Sequence, residues 1–162
     1  VVYWLMAIGV RREAVPRTPR RRLEDDMTVH EPAATSHFRR AHADAVDAVD
    51  AFIAAANADD PEHRSALLSR ALAADVVFWG PLGRGTGRNA VADFITEVVQ
   101  GYRAGGCRLV RTTSVDAPHE WARFGWRFEA PDGATVLSGT DMVHLTAAGD
   151  IDEFVVFAGP LH

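Results

Sequence analysis

Lysine is absent from this chain of 162 residues: all 17 basic side chains are arginine, set against 22 acidic ones for a net charge of −5. A general nucleic-acid binder carries a basic face, and this balance argues against one. Cysteine occurs once, at Cys107, which excludes an intramolecular disulfide framework and any multi-cysteine zinc site. No apolar run approaches the roughly 20 residues that span a bilayer. The seven histidines lack metal-ligand spacing; His37 and His42 are the nearest approach, and no His-Glu-x-x-His occurs. Gly83-x-Gly85-x-Gly87 has Arg88 where the dinucleotide fingerprint needs glycine, and no Gly-Lys-Ser/Thr follows it. Arg84 and Arg88 leave an anion at the next helix N-terminus as a minor alternative. Ser138, in Val-Leu-Ser-Gly-Thr, is not a nucleophile elbow. The expectation is a cytoplasmic protein with no cofactor, no metal, no nucleic-acid partner and no membrane partner.

With 48% hydrophobic and 24% charged residues, the composition is globular. The length suits one domain that buries about two thirds of its unfolded surface, enough for a core and an internal pocket. Arginine without lysine in an alanine-rich chain reads as GC-rich coding sequence, hence bacterial.

Residues 1–26 differ from the rest: an apolar stretch, Val1–Val10, precedes an arginine- and proline-rich one, Arg11–Arg22. A signal peptide has the reverse order of charge and apolarity. Leu23-Glu24-Asp25 is encodable with an internal GGAGG, a bacterial ribosome-binding sequence, just ahead of Met27. The expected domain therefore covers residues 27–162, with 1–26 a non-native or disordered extension. Without it the chain has 136 residues and a net charge of −7, since the extension holds six arginines and four acids.

From there the pattern gives three helices and then strands. Phe38, His42, Ala45, Val49, Phe52 and Ala56 make one helical stripe, with Asp47 and Asp50 on a solvated face. Asp60 caps a second helix that begins at Pro61 and reaches about Leu72. Asp75–Trp79 is a strand, Gly83–Gly87 a turn, and Asn89 to about Tyr102 a third helix. Four strands follow, over 108–115, 119–129, 135–146 and 150–157, with hairpin turns at Asp132-Gly133 and Gly149-Asp150. Helices gathered ahead of an antiparallel sheet define an α+β fold.

Two features carry chemical interest. Aromatic residues recur through the elements: Phe52, Phe78, Trp79, Phe94, Phe124, Trp126, Phe128, Phe154 and Phe157. Asp141 stands in the interior of a strand, where aspartate is disfavoured. Facing outward it is an ordinary surface acid. Facing inward among aromatics, its pKa rises by up to about 3–5 units. Cys107, after two glycines at a strand start, reads as a small packing residue.

The run Leu72-Ala-Ala-Asp75-Val-Val-Phe-Trp-Gly-Pro81, then Gly85-Thr-Gly-Arg88-x-x-Val91-x-x-Phe94, then Gly139-x-Asp141-x-x-x-Leu145-x-x-x-Gly149-x-Ile151-x-x-Phe154 resembles the nuclear transport factor 2-like superfamily. Within it the chain is most similar to the SnoaL-like polyketide cyclase and ketosteroid isomerase branch. The resemblance spans roughly three quarters of the chain, from about Phe38 to Gly159. It implies a cone-like α+β barrel, in which three N-terminal helices pack on a curved, mainly antiparallel sheet around an apolar pocket. It also implies a homodimer through the sheet's other face.

Asp141 matches the family aspartate, an acid/base group in cyclases and a protonated hydrogen-bond donor in isomerases; ketosteroid isomerase is itself the reference case for such a neutral acid. Phe52, Phe78, Trp79, Ile95, Trp126, Phe154 and Val156 are the expected pocket residues. Two departures count against ordinary ketosteroid isomerisation. The position of the isomerase general base is Gly80, and that of its oxyanion tyrosine is Phe52. Which face of strand 119–129 lines the pocket stays open, since Phe124, Trp126 and Phe128 share one and Arg123, Gly125 and Arg127 the other. Three functions remain: cyclisation or isomerisation of an enolisable carbonyl compound, non-catalytic binding of a hydrophobic small molecule, and a dimeric scaffold.

Overall fold

The computed structural model describes residues 33–159; the expected boundary at Met27 and the segment before it lie outside that range. Helix α1 (Ala33–Asn57) is followed by α2 (Pro61–Ala71). Its buried stripe runs through Ala45, Val49, Phe52 and Ala56, whereas His42, expected on it, is exposed. Asp60 caps α2 by accepting the His63 backbone N–H at 2.8 Å, with Pro61 in the first turn. Proline there forgoes a donor that has no helical partner anyway.

The sheet has six strands: β1 (Leu72–Gly80), β2 (Gly83–Thr86), β3 (Arg108–Arg111), β4 (Trp121–Glu129), β5 (Thr135–Leu145) and β6 (Ile151–Ala158). Their order is β2-β1-β6-β5-β4-β3. β1 and β6 are parallel and the other neighbours antiparallel. Between β2 and β3 the chain forms α3 (Gly87–Phe94), five π-helical residues Ile95–Val99, and α4 (Gln100–Ala104). Val91, Ile95 and Val99 point from this run into the core. The helices bury the inner sheet face, whose centre is Phe78, Phe124, Val143 and Phe154. Among the described residues no helix is long and apolar enough to cross a membrane.

Several boundaries differ from the sequence expectation. Gly83–Thr86 is an edge strand paired with Val77–Gly80 and not a free turn. Its glycines carry no strand preference, so the pairing is supplied by the β1 backbone. β1 itself begins directly after α2, without a glycine between them. The expected strand 108–115 stops at Arg111; beyond it an isolated bridge joins Asp116 to Arg123.

Arginines fasten the helical layer. The buried Arg64 guanidinium donates to the Ala58 carbonyl at 2.8 Å, just beyond the end of α1, and Arg88 reaches back to the Leu72 carbonyl. Arg84 lies over the Trp79 ring. These contacts leave little of the anion-site reading of Arg84 and Arg88.

Asn57 ties α1 to the far edge of the sheet. Its Nδ2 donates to the carbonyls of Ile53 at 2.9 Å and Leu109 at 2.8 Å, while Oδ1 accepts the Leu109 N–H at 3.0 Å. Arg103 also donates to Oδ1, the fourth hydrogen bond of this side chain. Replacing Asn57 with alanine leaves the Leu109 backbone without its partners. Asn57→Ala is expected to destabilise the fold by about 1–3 kcal/mol, read as a lower midpoint in urea with an unchanged slope. An unaltered midpoint would refute the role given to this side chain.

Candidate functional site

Strand β5 is central, flanked by β4 and β6, so a side chain on its inner face meets protein on both sides. Asp141 occupies that face at 4% exposure, opposite Phe124 on β4 and Val156 on β6. Alternation carries Met142 and His144 to the outer face. The inner face of β4 is the aromatic one: Phe124, Trp126 and Phe128 are buried. Its arginines are occupied elsewhere, Arg123 with Asp116 and Arg127 with Glu129. Among the described residues no guanidinium therefore holds Asp141 ionised.

Its partner is the indole of Trp126, whose Nε1–H donates to Asp141 Oδ1 at 2.6 Å. Trp126 pairs across the strands with Gly139, two residues before Asp141. A Cβ on Gly139 would collide with the indole and with the Phe157 carbonyl. The missing side chain is what lets the ring lie along β5 and reach the diagonal neighbour. Burial pushes the Asp141 carboxyl up to about 8, against opposing hydrogen bonds from Trp126 and the Phe157 backbone. Desolvation outweighs both, because the charged form loses water that two donors do not replace.

Asp141 forms part of the wall of a cavity of ≈ 50 Å³. The buried floor consists of Phe52, Val99, Leu109, Trp126 and Phe128; Pro81, Phe94, Val98, Leu137, Val156 and Ala158 form a more exposed rim. Asp141 is the one titratable group among these residues. The larger cavity, ≈ 650 Å³, lies between the start of α1 and the β5–β6 turn, far from this chemistry in character: its lining is polar and includes Arg40, Asp44 and Glu120.

Of the expected pocket residues, the structure brings Phe52, Trp126 and Val156 to the cavity with Asp141. Phe78, Ile95 and Phe154 are buried but lie outside the lining, where Phe154 packs in tilted contacts 4.4 Å from Phe52 and 5.9 Å from Phe78 between ring centres. Trp79 is a correction. It is 43% exposed on the outer face and donates to Glu153 at 2.9 Å. Successive residues of a strand face opposite ways, so Phe78 and Trp79 were never able to share a pocket. Leu109, Phe128 and Leu137 were missed as lining; the inward alternation of their strands was the available signal. At Gly80 a Cβ would stand 2.5 Å from the Phe78 ring. The volume through which a base at that position would project is thus filled by phenylalanine.

The architecture is that of the nuclear transport factor 2-like superfamily. An NTF2-like protein of unknown function from Exiguobacterium superposes with a TM-score of 0.52 at 18% identity, over 70% of this chain and 99% of that one. A candidate polyketide cyclase from Sinorhizobium meliloti gives 0.52 at 17% identity, over 71% and 97%. More specifically, a SnoaL-like domain profile matches residues 49–154. A candidate isomerase of the SnoaL-like family from Agrobacterium tumefaciens is 32% identical, covering 73% of this chain and 99% of that one with a TM-score of 0.65. The chain belongs to the SnoaL-like domain family. No functionally curated protein matches it.

The Asp141 environment has a measurable consequence for stability. The folded carboxyl keeps its proton up to about pH 8, whereas the unfolded one releases it near 3.8. The folded state therefore binds the extra proton between these values, and stability falls as pH rises through that window. The slope due to this group is about 1.4 kcal/mol per pH unit. Asp141→Asn, neutral throughout, is expected to gain stability relative to the parent between pH 4 and 8 and to hold a constant advantage above that. Parallel stability curves from urea titrations at several pH values would refute the raised pKa.

Proposed function

We propose that the protein acts on an apolar small molecule bearing an enolisable carbonyl, with Asp141 as the neutral acid that hydrogen-bonds the carbonyl oxygen during isomerisation or cyclisation. The observation that carries this reading is one protonated carboxyl set in an otherwise apolar cavity. A donor in a dry site stabilises charge that develops on the substrate oxygen far better than water does. The balance of the step is simple. The α-carbon loses its proton to solvent at the exposed rim of the cavity, negative charge grows on the substrate oxygen, and the Asp141 hydroxyl donates a hydrogen bond to that oxygen until the carbon is reprotonated or attacks an electrophile. The lining offers no second titratable group to take the α-proton, so the suitable substrates are those whose C–H bond is already acidic, such as polyketide-like 1,3-dicarbonyls.

That same absence favours a second reading, non-catalytic binding, in which Asp141 fixes the polar end of a hydrophobic ligand. The volume of ≈ 50 Å³ is small beside the roughly 300–1,000 Å³ of ligand pockets. A ligand must then displace side chains of the rim. A filled pocket in a dimeric scaffold is the third reading.

The test uses benzoylacetone, an apolar diketone whose C–H bond is flanked by two carbonyls. Its α-proton exchange in D₂O, followed by proton NMR, is expected to be accelerated by the protein and to lose about 10²–10³ of that acceleration in Asp141→Asn. Binding that weakens in the variant, without exchange, supports the second reading. An identical response of both proteins to the diketone would leave only the scaffold.

The partner proposed for the outer sheet face is a second copy of the chain. Trp79, Val155, Met142 and Arg123 stand in register across four strands there, and Trp79 and Met142 are exposed at 43% and 38%. Exposed aromatic and methionine side chains in a continuous row are typical of interface cores. Sedimentation at micromolar concentration is expected to show a dimer, and Met142→Glu to shift it to monomer; a monomeric parent would refute this.

A further inference from the structure

We infer that Trp126, seated over Gly139, is the positioning residue that decides which oxygen of Asp141 carries the proton, placing it on Oδ2 and making the site a one-donor site for an acceptor oxygen. The inference deepens the neutral-acid reading of Asp141 and rests on it.

A neutral carboxyl has one O–H donor and one strong carbonyl acceptor. The Trp126 indole is a donor only, and it meets Oδ1 at 2.6 Å in a buried setting. Oδ1 must then be the accepting oxygen, since a proton there would oppose the indole N–H. The hydroxyl is left to Oδ2, which no side chain among the described residues bonds; the other donor at the carboxyl is the Phe157 backbone N–H on β6, and the carboxyl itself borders the cavity. In the neutral state the site therefore donates to a ligand. A ligand whose polar end is a carbonyl matches it; one that offers only an N–H or O–H donor does not, because it leaves the Oδ2 hydroxyl without an acceptor.

The indole is held in place from behind. Gly139 directly opposes Trp126 in the β4–β5 register, and the ring lies where a Cβ of residue 139 would be. On its other side Phe128 packs edge-on against it at 5.7 Å between ring centres, and Tyr102 stacks on Phe128 at 4.1 Å. A glycine, a tryptophan and two further rings thus fix one hydrogen-bond direction.

Because the indole bond favours the charged carboxylate, its removal has a signed effect. In Trp126→Phe, which keeps an aromatic ring, the Asp141 carboxyl midpoint by carbon NMR is expected to move upward from the parent value. In the parent, the Trp126 Nε1–H resonance should titrate with the Asp141 midpoint, and that titration should vanish in Asp141→Asn. A ring that merely fills space would show none of these effects. Two failures are separable. An Asp141 midpoint in the ordinary carboxylate range overturns the neutral-acid function. A raised midpoint that neither the indole resonance follows nor Trp126→Phe changes overturns this inference alone.

Discussion

A carboxyl group withdrawn from water must find a counter-charge, find donors, or keep its proton. Asp141 is offered one side-chain donor and no counter-charge, so it keeps its proton. That outcome depends on the whole sheet. The two arginines on the neighbouring strand stand on the outer face because β4 turns its aromatic residues inward, and each has an acid of its own within reach. Had β4 been shifted by one residue, Arg123 or Arg127 would stand beside Asp141, and the site would be a buried ion pair. The register of one hairpin separates a proton donor from a structural salt bridge.

Glycine sets the remaining geometry by what it leaves out. At position 139 the missing side chain admits the Trp126 indole; at position 80 it admits the Phe78 ring. Both glycines lie in strands, where glycine weakens pairing and packs nothing. Each is tolerated because an aromatic ring occupies the space. The first ring brings a donor to the carboxyl. The second closes the space from which an isomerase-type base would act.

The order of elements, the alternation of β5 and the singular position of Asp141 in a strand interior were legible in the sequence, because period two and the cost of a strand-interior acid are local properties; period two alone did not say which face of β5 turns inward. The face of β4 was not, since both of its alternating sets fit a strand. The signal that separates them is the placing of acids: Asp116 across an isolated bridge and Glu129 at the end of the strand, two residues after Arg127 on the same face, both supply partners for the outward arginines. The Trp126–Asp141 bond was out of reach for another reason. It is a diagonal contact fixed by the register of the Asp132-Gly133 hairpin, with its irregularity between Phe128 and Glu129, and no periodicity contains that offset. Residues Gly83–Thr86 escaped notice as a strand because their pairing comes from the partner and not from their own preference. Trp79 was placed in the pocket on aromatic character alone, although Phe78 beside it already claimed the inward direction.

The chemistry open to the site follows from what surrounds the acid. A single donor aimed at a carbonyl oxygen lowers the barrier for charge arriving there, by an amount comparable to one oxyanion-hole hydrogen bond, about 3–4 kcal/mol. It does nothing to remove a proton from carbon. In the isomerases that the chain resembles, a carboxylate base supplies that second function, and here its position is Gly80 beneath the Phe78 ring. An unactivated ketone therefore gains only the smaller of the two effects. A carbon flanked by two carbonyls needs little help in losing its proton, and for such a compound the stabilised oxygen is the larger share of the barrier. The same wall that offers no base also disfavours anionic ligands, since no cationic side chain among the described residues lines the cavity. Apolar body, one acceptor oxygen in reach of Oδ2, and an acidic C–H bond are the three properties that this environment selects together.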